Sequence, residues 1–132
     1  MSQENVEIIA RMLDEVQVRP EAMYEILDDD VEWETAALDM PFPARDRGPE
    51  TVKKFFRSWV GAFEDWGFEV EESVDCGDAV AARIHQWGRG KASGITVDGR
   101  FWQVWTMRDG KVIRATHHSE KAEALEATGL SE

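Results

Sequence analysis

The chain predicts an α+β fold in which helices pack on the concave face of one strongly curved antiparallel sheet. Three observations carry this. Apolar residues recur at helical spacing through most of the first half, and they alternate at period two through most of the second. Turn residues, not a linker, separate the two regimes. No repeat or low-complexity tract interrupts them, so residues 1–132 read as a single domain.

Between Gln3 and Gln17 the apolar set Val6, Ile9, Ala10, Leu13 and Val16 marks an amphipathic helix, with Ser2 placed to cap it. Pro20 suits the first turn of a short second helix carrying Met23, Ile26 and Leu27, which Asp28-Asp29-Asp30 ends. Val31 to Ala36 alternates Val31, Trp33 and Thr35 against Glu32 and Glu34, a half-buried strand, and Ala37 to Gly48 reads as a loop. Pro49 opens the strongest helix, whose stripe of Val52, Phe55, Phe56, Trp59, Val60 and Phe63 packs onto the sheet. Strands are expected from Phe68 to Val74, Ala79 to Trp87, Ile95 to Met107 and Val112 to His118, with turns at Cys76-Gly77-Asp78 and Asp109-Gly110. Ser119 is placed to cap a last helix running to about Thr128, closed by Gly129.

Composition narrows the partners. With 27 acidic against 15 basic residues the net charge is −12, which repels phosphate backbones and anionic lipid, so neither nucleic acid nor membrane is expected. Ser2-Gln3-Glu4-Asn5 lacks the basic-then-apolar run of an export signal, and the expected location is cytoplasmic. Cys76 is the single cysteine, excluding an internal disulfide and zinc-type spacing; its acidic flanks keep the thiol inert. The acidic runs Asp28 to Asp30 and Glu69 to Glu72 bring no histidine with them in sequence, so no metal site is expected.

Which side chains share a face depends on the last hairpin. A two-residue turn at Asp109-Gly110 would put His118 on the face of Gln103 and Trp105. A three-residue turn with Gly110 in a bulge would pair Met107 with Lys111 and Gln103 with Ala115, bringing His117 to the face of Phe101, Gln103, Trp105, Ile113 and Ala115. The bulged register is preferred because it gathers Trp105, Met107 and Ile113 in the core. On the strand from Ala79, the inward set Val80, Ala82 and Ile84 carries Gln86 to the pocket end. Arg83, His85, Trp87 and Trp102 then project outward, and burying Trp87 and Trp102 against a second copy predicts a homodimer. His85 and His118 are read as structural or interface groups.

Several local signatures resemble the SnoaL-like branch of the nuclear transport factor 2-like superfamily. They are Asp29-Asp30-Val31-Glu32-Trp33, Arg47-Gly48 before Val52-x-x-Phe55-Phe56, Gln103-Val104-Trp105-Thr106, Asp109-Gly110-Lys111-Val112 and Glu123-Ala124-Leu125, in order over nearly the whole chain. The resemblance implies a cone with one pocket. It does not imply one activity, because that scaffold serves isomerases, dehydratases, polyketide cyclases, epoxide hydrolases and non-catalytic members. In cyclases and limonene-type epoxide hydrolases of this fold, the place matching His117 holds a working aspartate. The epoxide hydrolases also hold an Arg and an Asp at places resembling Ile84 and Gln86, and water-positioning residues at places resembling Trp33 and Thr35. The Arg and both Asp are missing here, which disfavours that activity. Ketosteroid isomerases hold a Tyr and two Asp at places resembling Met12, Trp33 and Gln103, and a tryptophan cannot take a proton, so that activity is disfavoured too.

What is left is a pocket for a small, largely apolar ligand, lined by Trp33, Thr35, Phe56, Trp59, Gln86 and Trp105, with His117 and Gln103 as the catalytic pair. Two functions fit. One is a cofactor-free isomerase, cyclase or dehydratase acting on a small apolar carbonyl compound, with His117 as acid/base and Gln103 bonding the oxyanion. The other is a non-catalytic ligand-binding or assembly domain in which His117 is a core histidine bonded to a neighbour. A pocket filled by its own aromatic side chains is the third outcome.

Overall fold

The computed structural model describes residues 2–19, 21–34 and 45–128. The elements are α1 (Ser2–Val16), α2 (Glu21–Tyr24), β1 (Leu27–Glu34), β2 (Arg45–Arg47), α3 (Pro49–Gly61), β3 (Phe63–Asp75), β4 (Ala79–Gly90), β5 (Thr96–Arg108), β6 (Lys111–His118) and α4 (Lys121–Ala127). The strands form one sheet in the order β2-β1-β6-β5-β4-β3. All neighbours are antiparallel except β1 and β6, which run parallel with Trp33 beside Ala115. A strand's alternation records which face is buried, not the direction of its partner, so this parallel pair had no signal in the sequence.

The sheet curves because its ladder is repeatedly broken. Register shifts fall between Glu64 and Gly67 and between Val70 and Glu72 on β3, and between Val112 and Arg114 on β6. Each extra residue bends its strand and increases the local twist. The first break contains Asp65 at φ 54. α1 fills the concave side with Ile9, Met12, Leu13 and Val16, packed with Val31, Trp33, Val52, Val80, Ile84, Trp105, Met107 and Val112. Among the described residues, no helix is long and apolar enough to cross a membrane.

Several expectations are corrected. Leu27 belongs to β1, not to the second helix, and Phe63 opens β3 and does not close α3. Arg45–Arg47, read as loop, forms a short strand on β1. α4 begins after Glu120, whose side chain makes no capping bond, so Ser119 is not the cap. The expected cap at Gly129 and the first-turn Pro20 lie outside the described residues.

α4 lies on the face opposite α1. Its Ala124 packs with Ala79, Ala81, Trp102 and Val104, the residues that alternate away from the main core. Lys121 anchors it, with Nζ 2.7 Å from Glu72 and 5.7 Å above the Trp102 ring. Trp102 is therefore 5% exposed, and the area that motivated a second copy there is largely covered within the chain. Trp87 is 36% exposed. It lies over Gly67, its cross-strand partner, where a Cβ would come within 2.9 Å of the indole.

The last hairpin reaches the preferred face by a different route. Arg108 pairs with Lys111 around a two-residue turn, Asp109 at φ 53 and Gly110 at φ 77, the left-handed pair of a type I′ turn. The bulge comes later, where Ile113 is the extra residue between Met107↔Val112 and Thr106↔Arg114. Gln103 then pairs with His117, not with Ala115. Ile113 turns away from the core, and Val112 takes the buried place expected for it.

Candidate functional site

A cavity of about 260 Å³ opens between α1, α3 and the concave face of the sheet. Trp33, Phe56, Trp59, Gln86, Gln103 and His117 all line it, so most of the expected set comes together at one place. Trp105 does not line it: it sits at 1% exposure between Val80 and Ala115, within the core beneath α1. Thr35 lies outside the described residues. Leu13, Phe55, Trp66, Phe68 and Phe101 line the cavity but were not singled out for it. Trp66 had a usable signal, because a strand starting at Phe63 puts Trp66 in the same alternation as Phe68.

The walls grade from dry to wet. His117, Gln103 and Trp33 are buried, whereas Phe56, Trp59, Trp66, Gln86 and Phe101 are half-buried. Gln86 ties the half-buried side together: its Oε1 accepts from Trp59 Nε1 at 3.0 Å and Trp66 Nε1 at 3.3 Å. Both indoles need an acceptor, and one amide oxygen has the two lone pairs to serve them.

His117 sits in a box of aromatic rings. Trp33 meets it edge-on at 5.1 Å, Phe101 stacks at 5.8 Å, and Phe55 lies 6.5 Å away. Its Nδ1 is 2.9 Å from the Glu34 carbonyl oxygen, which can only accept, so Nδ1 carries the proton and donates it. Burial pushes the imidazole down to about 4, with the Glu34 carbonyl opposing in part. His117 is thus neutral at pH 7 with its lone pair on Nε2. No opposite charge compensates its desolvation.

Two fully buried donors on residues that line the cavity have no protein partner, Trp33 Nε1 and Gln103 Nε2. An unpaired buried N–H costs about 1–3 kcal/mol. Replacing Gln103 by methionine, which keeps the length and removes the amide, is therefore expected to raise the unfolding free energy by about 1 kcal/mol. Urea denaturation of the two proteins measures this, and a loss of stability would mean that bound water already satisfies the amide.

On the outer face Glu69 pairs with His85 across β3 and β4, so a histidine does join that acidic run. His85 Nδ1 lies 3.1 Å from Glu69 and Nε2 2.9 Å from Asp98. The two carboxylates raise its pKa. Glu71 beside it is held by Arg100 at 2.9 Å and Arg83 at 3.4 Å. The cluster reads as a charge ladder joining three strands, which agrees with a structural role for His85.

Solved structures share this architecture. An NTF2-like protein from Burkholderia thailandensis E264 is 22% identical at TM-score 0.79, covering 92% of this chain and 96% of its own. Bal32a, from a soil-derived mobile gene cassette, is 16% identical at TM-score 0.80, covering 96% and 97%. TerC, co-crystallised with polyporic acid, is 22% identical at TM-score 0.75, covering 96% and 98%. No curated protein matches the chain. A family model described as the SnoaL-like domain matches residues 9–115, from the middle of α1 to Ala115 in β6, and the chain belongs to that family.

Proposed function

We propose that the cavity binds a compact, largely apolar carbonyl compound and removes a proton beside its carbonyl, the step common to cofactor-free isomerases, cyclases and dehydratases. The observation that carries this is a buried histidine on the cavity wall, neutral and with its Nδ1 proton committed to the Glu34 carbonyl, so that Nε2 is left as an acceptor beside Gln103. His117 Nε2 takes the proton, and the Glu34 carbonyl fixes the tautomer that leaves this nitrogen free. The charge that then grows on the carbonyl oxygen needs a donor, and the Gln103 amide, on the cavity wall directly across the ladder from His117, supplies it once its NH2 group turns toward the cavity. A pKa near 4 makes His117 a weak base at rest. Once an enolate forms beside it, the opposite charge holds the proton on the imidazole. TerC, of the same fold, was co-crystallised with polyporic acid, which supports reading this fold as a small-molecule container.

Deuterium uptake at the methyl carbon of acetophenone, followed by NMR in D2O, tests the step. The wild type is expected to accelerate uptake, His117→Ala to lose about 10²-fold or more of that rate, and Gln103→Ala to lose part of it. Uptake at the buffer rate in all three proteins would sink the catalytic reading. The non-catalytic reading has one observation in its favour: among the described lining residues no second acid or base accompanies His117. Saturable ketone binding with no uptake would establish it.

A further inference from the structure

Resting on the pocket reading above, we infer that Gln86 is a specificity-determining residue. Its amide nitrogen binds a second oxygen acceptor, an ether or a carbonyl, at the end of the ligand away from the reacting carbonyl. An amide side chain offers a donor or an acceptor according to which way it is turned. Here its neighbours make that choice. Gln86 Oε1 accepts from Trp59 Nε1 at 3.0 Å and from Trp66 Nε1 at 3.3 Å. An amide nitrogen cannot accept, so turning the group over would set N–H against N–H and strand both indoles. The oxygen is held on the indoles, and the NH2 group is held away from them.

That NH2 group is available to a ligand. No acceptor among the described residues takes its N–H bonds. Gln103 Nε2 and Trp33 Nε1 are fully enclosed, whereas Gln86 Nε2 is not, and the residue is half-buried in the cavity wall. Room lies beside it. Gln86 pairs with Gly99 across β4 and β5, so the neighbouring place on that face carries no side chain. Gly99 lines the cavity too, and a Cβ there would meet nothing within 4 Å beyond its chain neighbours. An oxygen seated over Gly99 has both open space and a donor.

The register sets the length of the ligand. Gly99, Phe101 and Gln103 are successive inward positions of β5, and Gln103 faces His117 across the ladder. The strand from Gly99 to Gln103 spans about 13 Å. A hydrogen bond of about 3 Å at each end leaves roughly 7 Å between the two ligand oxygens. That is the reach from a carbonyl to a para substituent across one aryl ring, with the half-buried Phe101 on the wall between. An oxygen on the carbon next to the carbonyl lies too close to it to meet Gln86.

Calorimetric titration with 4′-methoxyacetophenone, 4′-ethylacetophenone and acetophenone tests the inference, because methoxy and ethyl match in size and differ in the acceptor. The wild type is expected to bind the methoxy ketone about fivefold more tightly than the ethyl ketone, in line with one added hydrogen bond. Gln86→Glu keeps an oxygen for both indoles and removes the NH2 group, so it should erase or reverse that preference. Gly99→Val, at a strand position without a positive φ, fills the space beside the amide and should weaken both para-substituted ketones more than acetophenone. The methoxy and ethyl pair on the wild type decides the question if a variant fails to fold. Equal binding of that pair, a methoxy preference that survives Gln86→Glu, or equal weakening of all three ketones by Gly99→Val would overturn the role of Gln86 and leave the pocket reading standing. Binding of none of the three by the wild type would remove both.

Discussion

Replacing Trp105 by alanine is expected to remove about 3–5 kcal/mol of stability, a third or more of the margin of an ordinary domain of this size. Its indole is 1% exposed and flanked across the sheet by Val80 and Ala115, small neighbours that leave the room it fills. Neither neighbour can expand into the space left behind, so the cavity persists and its cost adds to the lost burial. Trp105→Phe is the informative companion. It keeps most of the apolar volume and deletes an indole N–H that has no partner, so about 1–2 kcal/mol is expected to be lost. Urea denaturation followed by circular dichroism reads both. A loss below about 1 kcal/mol for the alanine variant would mean that the site collapses around the smaller residue. Ketone affinity should change little in Trp105→Phe, because Trp105 lies under the cavity and not on it.

Stability should also fall steeply below neutrality, and His117 sets the slope. In the unfolded chain its imidazole titrates near 6.5, whereas in the fold burial holds it down to about 4. Between these values the unfolded state binds a proton that the folded state refuses, so stability rises with pH across the window. The contribution is complete above about 6.5 and is lost on acidification to about 4, beyond which both states carry the proton. At about 1.4 kcal/mol per pH unit this comes to roughly 3 kcal/mol. His118 is lowered by partial burial and acts in the same direction. His85, raised by Glu69 and Asp98, acts the other way: it stabilises below its unfolded pKa and loses that as pH rises through its folded one. Comparing wild type with His117→Gln from pH 7.5 to 4 cancels these shared terms. The variant curve should be flatter by about the stated amount, and parallel curves would show that His117 is protonated inside the fold.

Much of the fold was legible because burial patterns are local. Val80, Ala82 and Ile84 against Ala81, Arg83 and His85 can only be a strand with two unlike faces, and the run from Val52 to Phe56 needs a helix to bring its apolar residues to one side. The boundaries failed where two periods meet. Phe63 fits the helical stripe of α3 as well as the first step of β3, and only the pairing of Phe63 with Gly90 assigns it. Leu27 is caught in the same way between α2 and a strand held by its partner Val112.

The candidate site divides along the same line. Gln86, Phe56 and Trp59 followed from their own strand and helix, and Trp33 from the alternation of β1. His117 depended on a count of residues across a turn. The turn itself is the two-residue form that its Asp-Gly sequence favours, which alone would have delivered His118. The bulge at Ile113 reverses the faces a few residues on, and no local preference of Val112-Ile113-Arg114 announces it. Likewise Trp102 reads as an outward tryptophan on its strand, and only α4 folding back over that face buries it.

The sequence by itself determined the fold class, the chain's acidity and the residues from which a pocket is built, because amphipathic period and charge are written residue by residue. Tertiary structure decided which histidine enters the pocket, that it enters neutral, and that Gln103 and Trp33 keep donors unspent beside it. Register, desolvation and hydrogen-bond satisfaction belong to pairs of residues far apart in the chain, and they acquire values only when the sheet closes those pairs together.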